Sequence, residues 1–250
     1  MNTKAILGVN PQLPYSIEEA VNRLRINVSF LGGDVRKIMI ISSEPNEGKS
    51  FIAFSLWKQM ALAGTRSILV DADLRKSVMV QSFQISREDR KELWGLTHFL
   101  SDNKKLEDCI LTTEMPYGDL LPNASNVVNP SLLLESDRFS DLLAGLAAEY
   151  RYVFVDAPPL GLVSDAERIG HLCDGAILVV RSGFTPKNVI RNSIAQLDRA
   201  GCPLLGIVLN RVGAGAGKYY GKYYGKYYGK YYGRYYGKKY YTDKYYSEKK

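Results

Sequence analysis

Apolar runs alternate with amphipathic stretches through most of the chain. Between the runs, apolar residues recur at helical spacing, as in residues 16–31, where Ser16 and Glu19 predict a capping box at the helix start. Continuous apolar strands that alternate with such helices are typical of a mainly parallel sheet covered on both faces. The runs that predict the buried strands are residues 38–41, 66–70, 152–155, 176–180 and 204–209.

The segment between residues 76 and 125 has a less regular pattern. It predicts a helix around residues 96–100 and short strands near Ile110 and Leu120. Asn129 and Pro130 then predict the start of a long helix, because a cap residue is followed by proline in the first turn.

The loop after the first buried strand carries the clearest chemical signal. It ends in Gly48-Lys49-Ser50 and a helical pattern follows, which is the arrangement of a phosphate-binding loop. We expect Lys49 to reach the β- and γ-phosphates of a nucleotide and the Ser50 hydroxyl to hold Mg²⁺. Ser43 replaces the first glycine of the motif, so an ordinary strand–helix turn remains as the alternative.

Polar residues also end three other predicted strands. Asp71 and Asp73 follow one strand, Asp156 follows another, and Asn210 follows the last. The carboxyl ends of parallel strands meet at one edge of the sheet, where ligands bind, so these side chains should lie near the loop. Asp156 has the position of a Mg²⁺-binding carboxylate. Either Asp71 or Asp73 is a candidate base for an attacking hydroxyl, or both position Mg²⁺ and a hydrolytic water.

Charge separates the C-terminal segment from the rest of the 250 residues. The net charge is +7, but residues 218–250 hold ten Lys or Arg and two Asp or Glu, a balance of +8, which leaves −1 for residues 1–217. The segment repeats Lys/Arg-Tyr-Tyr-Gly without aliphatic side chains, so it cannot form a core and is predicted to be disordered. The predicted organisation is an extended N-terminus over 1–15, a P-loop domain over 16–212 and a disordered tail over 213–250.

The remaining composition excludes several classes of protein. No run of about 18 apolar residues is present, so no membrane span is expected. Cys109, Cys173 and Cys202 are scattered and predict buried, reduced thiols of a cytosolic protein rather than a metal site. Two histidines leave little material for His-based catalysis.

Together these segments resemble the bacterial protein-tyrosine kinases (BY-kinases) of capsule and exopolysaccharide synthesis, over about residues 16–212. The segments that carry the resemblance are SSEPNEGKS as Walker A, ILVDADLR as Walker A′, YVFVDAPP as Walker B, and the flanking EEAVNRLRINVSF, LLPNASNVVNPSLLLES, DGAILVVRSGFT and LLGIVLNRV. The resemblance implies a P-loop NTPase-like α/β fold and an ATP- and Mg²⁺-dependent tyrosine autokinase. In some family members the kinase is fused to a membrane-embedded regulator, and this chain resembles the form in which the kinase is separate.

The resemblance also implies roles for individual residues. Lys49, Asp71 and Asp73 would be catalytic, with Asp71 as the base, and Arg75 would lie at the acceptor site. The nucleotide would contact Glu47, Gly48, Lys49, Ser50, Phe51 and Asn210, and Mg²⁺ would contact Ser50, Asp73 and Asp156. The autophosphorylation sites would be Tyr219, Tyr220, Tyr223, Tyr224, Tyr227, Tyr228, Tyr231, Tyr232, Tyr235, Tyr236, Tyr240, Tyr241, Tyr245 and Tyr246.

The family further implies partners. Its members assemble as rings whose subunits offer their tails to neighbours, and the cytoplasmic segment of a membrane-embedded polysaccharide chain-length regulator activates them. We therefore expect a cytoplasmic homo-oligomer that is recruited to the inner face of the membrane, with a protein-tyrosine phosphatase as a further partner and no nucleic acid. The oligomer interface would include Glu19, Arg23 and Arg25, although the family motif E-x-x-R-x-x-R has Asn22 in place of its middle arginine.

Two alternatives remain at this point. The first is a non-kinase ATPase switch resembling the partition and division-site ATPases, but those carry a lysine early in the loop where this chain has Glu44. The second makes the basic, aromatic tail a binding element for single-stranded nucleic acid or an anionic surface.

Asn46 stands in the phosphate-binding loop where the family has glycine, and asparagine tolerates the positive φ that the loop would require.

Overall fold

The structure is a computed structural model that describes residues 3–8, 13–101, 103–127 and 129–212. Within these residues no helix has the length and apolar character needed to cross a membrane. The strands are β1 Thr3–Leu7, β2 Lys37–Ser42, β3 Ser67–Asp71, β4 Ile85–Arg87, β5 Leu111–Thr112, β6 Gly118–Leu121, β7 Tyr152–Asp156, β8 Gly175–Arg181 and β9 Leu204–Asn210. The helices are α1 Tyr15–Ser29, α2 Lys49–Leu62, α3 Met79–Ser82, α4 Leu96–Leu100, α5 Leu106–Cys109, α6 Ser131–Leu134, α7 Asp137–Glu149, α8 Asp165–His171 and α9 Lys187–Arg199.

The strands form one mixed sheet in the order β4-β1-β5-β6-β3-β7-β2-β8-β9. All neighbours from β6 to β9 pair in parallel, whereas β5 with β6 and β1 with β4 pair antiparallel. The prediction of a mainly parallel α/β sheet with a P-loop NTPase-like fold is confirmed. The carboxyl ends of β2, β3 and β7 are therefore neighbours at one edge of the sheet.

The sheet separates two apolar cores because alternate residues of a strand point to opposite faces. On one face Ile38, Leu69 and Phe154 pack with Trp57 and other residues of α2. On the other face Met39, Ile68 and Val153 belong to a second core, to which α7, α8 and α9 contribute. Burial on both faces explains why the central strands read as continuous apolar runs rather than as alternating patterns.

Two local predictions about helices are wrong. Among the described residues no side chain caps α1, whose first N–H groups instead donate to the carbonyl of Pro14, while the Glu19 carboxylate pairs with Arg23. The long helix expected from Asn129 onward is divided into α6 and α7. The division lies at Ser136, which has an extended backbone with φ −69° and ψ 148° and whose hydroxyl donates a hydrogen bond to the Leu133 carbonyl at 2.6 Å.

The N-terminal residues were expected to form a segment outside the domain. Instead, Thr3–Leu7 forms β1, which pairs in parallel with β5 and antiparallel with β4. Ala5 is buried at this position. Strand pairing here depends on partners more than 75 residues away in the sequence, at Ile85–Arg87 and Leu111–Thr112. The tail over 213–250 lies outside the described residues.

Candidate active site

The phosphate-binding loop connects β2 to α2 and contains two residues with positive φ. Asn46 has φ 63° and Gly48 has φ 98°. A Cβ on Gly48 would lie only 2.3 Å from Nδ2 of Asn210, so this position requires glycine for both its conformation and its space. Asn46, which replaces the family's glycine, adopts the left-handed conformation that asparagine accepts more readily than other side chains.

Glu47 holds the phosphate-binding loop in place through hydrogen bonds to neighbouring segments of the chain. Its carboxylate is buried and accepts hydrogen bonds from the backbone N–H of Glu44 at 2.9 Å, from the N–H of Arg181 at 3.3 Å, and from the Thr185 hydroxyl. Nδ2 of Asn210 donates to the Glu47 carbonyl at 2.8 Å. These bonds attach the loop to β8 and β9, so the side chains of Glu47 and Asn210 hold its shape.

Ser43 takes the place of the first glycine of the motif without leaving a polar group unpaired. Its side chain is buried, and its hydroxyl oxygen accepts a hydrogen bond from Ser193 of α9 at 2.8 Å. The sequence contained no signal for this contact, because the two serines are 150 residues apart.

Lys49 lies at the centre of a buried polar cluster. Its Nζ is 3.2 Å from Oδ2 of Asp73, 3.3 Å from Oδ1 of Asp156 and 3.3 Å from the Ser50 hydroxyl. Asp71 and Asp156 are opposite each other in the register of β3 and β7. The structure thus brings together Lys49, Ser50 and the three carboxylates that the sequence placed at strand ends, with Phe51 packed against the core in the first turn of α2.

Burial dominates the electrostatics of this cluster. Burial, assisted by repulsion from Asp156, raises the pKa of Asp71 to about 7, against the opposing effects of the Ser77 hydroxyl and Lys49. Burial likewise raises the pKa of Asp156, although Lys49 opposes the shift. Burial alone would lower the pKa of Lys49, but Asp156, Asp73 and Asp71 together raise it, so the ammonium stays charged.

Three carboxylates share one ammonium ion in this cluster, so a further cation would be favoured here. Among the described residues, no group of three His, Cys, Asp or Glu side chains is arranged to hold a metal ion alone. Mg²⁺ is usually bound by one or two carboxylates together with phosphate oxygens and water. The residues present therefore fit a magnesium ion that arrives with a nucleotide.

Arg75 lies beside this cluster, on the loop after β3. Its Nε and Nη2 donate to the two carboxylate oxygens of Asp165 at 2.6 and 3.1 Å. Ser131 donates to the same carboxylate at 2.7 Å and accepts from Arg75 at 3.1 Å. The Asp165 carboxylate is 1% exposed, whereas the Arg75 side chain is 35% exposed. A buried carboxylate and a half-buried hydroxyl thus hold one edge of a guanidinium that solvent reaches.

Sequence reasoning missed several of these residues. Ser77 donates to the carboxylate of Asp71, only six positions earlier in the chain, and its closeness to the Walker A′ segment was an available signal. Asp165 follows Asp156 by nine residues, and Ser131 lies within the segment before the long helix, but neither had a chemical signal of its own.

The residues expected at an oligomer interface lie on α1 and contact each other within that helix. The Glu19 carboxylate is 3.4 Å from Nε of Arg23, and Nε of Arg25 donates to Oδ1 of Asn22 at 3.0 Å. Asn22, which replaces the motif's middle arginine, thus makes a local contact. The fourteen tail tyrosines expected to be phosphorylated lie outside the described residues.

Comparison with known proteins agrees with this architecture. Residues 35–169 match the family described as an AAA domain. Over 202 residues the chain is 36% identical to the tyrosine-protein kinase CpsD of Streptococcus agalactiae, an alignment that covers 81% of this chain and 85% of CpsD.

Among solved structures, the kinase domain of the Escherichia coli tyrosine kinase ETK has a TM-score of 0.72 and 28% identity, and the match covers 81% of this chain and 79% of that one. The septum site-determining protein MinD of Pyrococcus horikoshii, complexed with Mg-ADP, has a lower TM-score of 0.59 with 25% identity, over 72% of each chain. The likeness to kinases therefore exceeds the likeness to this division-site protein. The chain contains an AAA domain and belongs to the bacterial tyrosine-protein kinases.

Proposed function

We propose that the chain is an autokinase that transfers the γ-phosphate of ATP to tyrosines of residues 218–250 and thereby regulates capsule or exopolysaccharide synthesis and export. The observation that carries the proposal concerns Asp71, a buried carboxylate of the Lys49 cluster. It already accepts a hydrogen bond from a hydroxyl group, that of Ser77. A phenol with a pKa of about 10 can pass its proton to such a carboxylate, whereas a P-loop ATPase can use a side chain that only orients the attacking water.

The loop and α2 would bind the nucleotide. The N–H groups of residues 47–51, at the N-terminus of α2, would donate to the phosphates. The Lys49 ammonium would turn from Asp73 and Asp156 toward the β- and γ-phosphates. Ser50, Asp73 and Asp156 would hold Mg²⁺, which when bound neutralises phosphate charge during transfer.

Asp71 would then act as the base. Its pKa of about 7 is closer to that of a phenol than the pKa of an ordinary carboxyl group, so proton transfer from tyrosine is less unfavourable. Asp73 is within ion-pair distance of Lys49, which favours a role for it at the metal and nucleotide. Arg75 would bind the acceptor segment with the edge of its guanidinium that Asp165 leaves open.

The acceptor would reach the site of a neighbouring subunit, in an assembly that we expect to be a ring. If fully extended, 33 residues would span at most roughly 110 Å. The partners that we propose are a membrane-embedded chain-length regulator, which activates the kinase and recruits it to the inner face of the membrane, and a tyrosine phosphatase. Each phosphotyrosine adds about −1.5 to −2 charges, so roughly four or five would neutralise the tail and loosen the assembly. Equal oligomer masses of phosphorylated and dephosphorylated protein at low salt would contradict this last step.

The test is to incubate the full chain with ATP and Mg²⁺, with and without the regulator's cytoplasmic segment, and to map phosphate by mass spectrometry. Lys49→Ala and a chain ending at Gly217 are the controls. Phosphotyrosines between residues 219 and 246 that disappear in Lys49→Ala would establish the autokinase. ATP hydrolysis without phosphotyrosine, even with the regulator segment present, would favour the ATPase switch.

A further inference from the structure

A cavity lies beside the edge strand β4, and its lining residues Val80 and Ala124 are close in sequence to Ser77 and Asn123, which donate hydrogen bonds to Asp71 and to the Asp73 carbonyl. Its volume is about 610 Å³, within the range of cavities that bind organic ligands. In the sheet, β1, β5 and β6 separate β4 from β3, which carries Asp71. No step of the proposed reaction uses this cavity.

The lining of the cavity combines an apolar wall with cationic groups. Ile6, Ile85 and Leu93 contribute apolar side chains. Arg87, Arg90 and Lys91 contribute the cations, and Glu92 is the acidic residue in the lining. A ligand with an apolar body and an anionic end would match both parts.

Arg87 has an unused donor. The residue is 7% exposed, and its Nε and Nη2 donate to the Asp89 carboxylate at 2.9 and 2.8 Å. Its Nη1 is buried and has no hydrogen-bond partner within the described part of the chain. The guanidinium lies 5.1 Å from the centre of the Trp94 ring, which fixes its plane. A buried donor without a partner is uncommon in folded proteins, and a small turn of the Arg87 side chain toward the cavity would let this donor bind an anionic ligand there.

Two further cations, Arg90 and Lys91, line the same cavity. Arg90 is exposed and has φ 56°, a conformation that arginine rarely adopts and that is often found at binding sites. The Lys91 ammonium is exposed and lies 3.9 Å from the Asp89 carboxylate. Arg87, Arg90 and Lys91 carry three positive charges, and Asp89 and Glu92 carry two negative charges. One positive charge therefore remains in excess, which favours an anion.

We propose that this cavity binds phosphotyrosine from residues 218–250 of this chain. The guanidinium groups would bind the phosphate, for which arginine has the matching geometry, and the apolar wall would contact the ring. The sequence supplies fourteen tyrosines in that segment. The proposal rests on the proposed function, because the phosphates come from the autokinase. The cavity would retain the product and would distinguish phosphorylated from unmodified tyrosine.

The test measures peptide binding to the dephosphorylated full chain without ATP, by fluorescence polarisation. The probe is a labelled peptide of residues 226–234 phosphorylated on Tyr228, compared with the unphosphorylated peptide and with a peptide carrying phosphoserine at that position. We expect the phosphotyrosine peptide to bind best. The double variant Arg90→Gln/Lys91→Gln should weaken this binding by at least about tenfold, since charge-assisted hydrogen bonds are lost. The control Lys187→Gln/Arg191→Gln, which removes two exposed cations of α9, should leave it unchanged.

Three results would overturn the proposal: equal binding of the phosphoserine peptide, complete competition by inorganic phosphate at the same concentration as the peptide, or equal binding by the double variant and the wild type. Arg87→Lys provides a second arm, because it keeps the charge but removes the guanidinium, and thermal denaturation verifies its folding. The test uses a peptide that is already phosphorylated and no ATP, so it gives a result even if the chain has no kinase activity. An active autokinase that fails to bind the peptide overturns the cavity's role alone.

Discussion

Two groups of charged residues lie at the carboxyl edge of the sheet, and they differ in charge balance. Around Lys49, three carboxylates from β3, β7 and the loop after β3 share one ammonium, and two of those carboxyl groups have raised pKa values. Around Arg75, one guanidinium meets one buried carboxylate with two hydrogen bonds. The first group has more negative than positive groups, whereas in the second group the two charges balance.

From this difference we propose that the first group takes part in the reaction and that the second group positions the acceptor. A cluster that lacks a cation can accept Mg²⁺, change protonation and redistribute its contacts when a nucleotide binds. A balanced ion pair with a serine bridge has little reason to change, so it is suited to hold the guanidinium in one orientation. Substitutions in the first group should therefore alter chemistry and pH dependence, and substitutions in the second should alter acceptor binding.

The largest expected effect is that of Lys49→Ala. Phosphotyrosine formation should fall by about 10³-fold or more, because the variant loses an electrostatic contact to the transferring phosphate. Quantitative mass spectrometry of residues 219–246 measures this effect, and Lys187→Ala, at an exposed lysine of α9, is the matched control. Retained phosphorylation in Lys49→Ala would remove this lysine from the mechanism.

Asp71→Asn should separate chemistry from stability. The variant keeps the size of the side chain but loses the base, so we expect phosphorylation to fall by about 10²-fold. The folded pKa of about 7 lies above the ordinary value of 3.8, so the folded state binds this proton more tightly. The contribution of Asp71 to the free energy of unfolding therefore falls as the pH rises from about 4 to about 7, and is constant above that.

Urea denaturation of both proteins, without nucleotide or metal, measures this contribution. The difference between wild type and Asp71→Asn isolates this one group from the others that titrate. We expect Asp71→Asn to be the more stable protein near pH 8, and its advantage to shrink toward pH 5. An advantage that is independent of pH would show that Asp71 titrates normally.

The sequence predicted the first group of residues from local patterns, whereas for the second group it gave only Arg75, through the family resemblance, and not its partners Asp165 and Ser131. Lys49, Asp73 and Asp156 each lie at or after the carboxyl end of an apolar strand, and these ends converge in a parallel sheet, so local patterns were sufficient. Arg75 and Asp165 are 90 residues apart, and their contact depends on where α8 packs against the sheet. The break between α6 and α7 and the pairing of β1 also depend on local backbone geometry or distant partners that apolar periodicity does not report.

Asp165→Asn tests the balanced group. The carboxamide cannot accept both hydrogen bonds from the guanidinium, so Arg75 should lose its fixed orientation. If Arg75 contacts the acceptor, the KM for a tail peptide rises by about tenfold, as expected when a charge-assisted hydrogen bond is lost. The KM for ATP should remain unchanged. Ser131→Ala, which removes only the bridging hydroxyl, should have a smaller effect in the same direction. Equal increases in both KM values would indicate a general structural defect instead.

The smallest expected effect is a shift in pH dependence in Ser77→Ala. The Ser77 hydroxyl donates a hydrogen bond to Asp71, which lowers the pKa of that carboxyl group and partly offsets burial. Without this bond the pKa of Asp71 rises, so the rate of phosphorylation should reach half of its maximum at a higher pH than in the wild type. Near pH 8.5 the two rates should approach each other, and below about pH 7 the variant should be slower. Ser82→Ala, on the exposed side of α3, is the control. An unchanged midpoint with a uniformly lower rate would mean that Ser77 positions the acceptor rather than tuning the base, and would bring it closer in role to Arg75 than to Lys49.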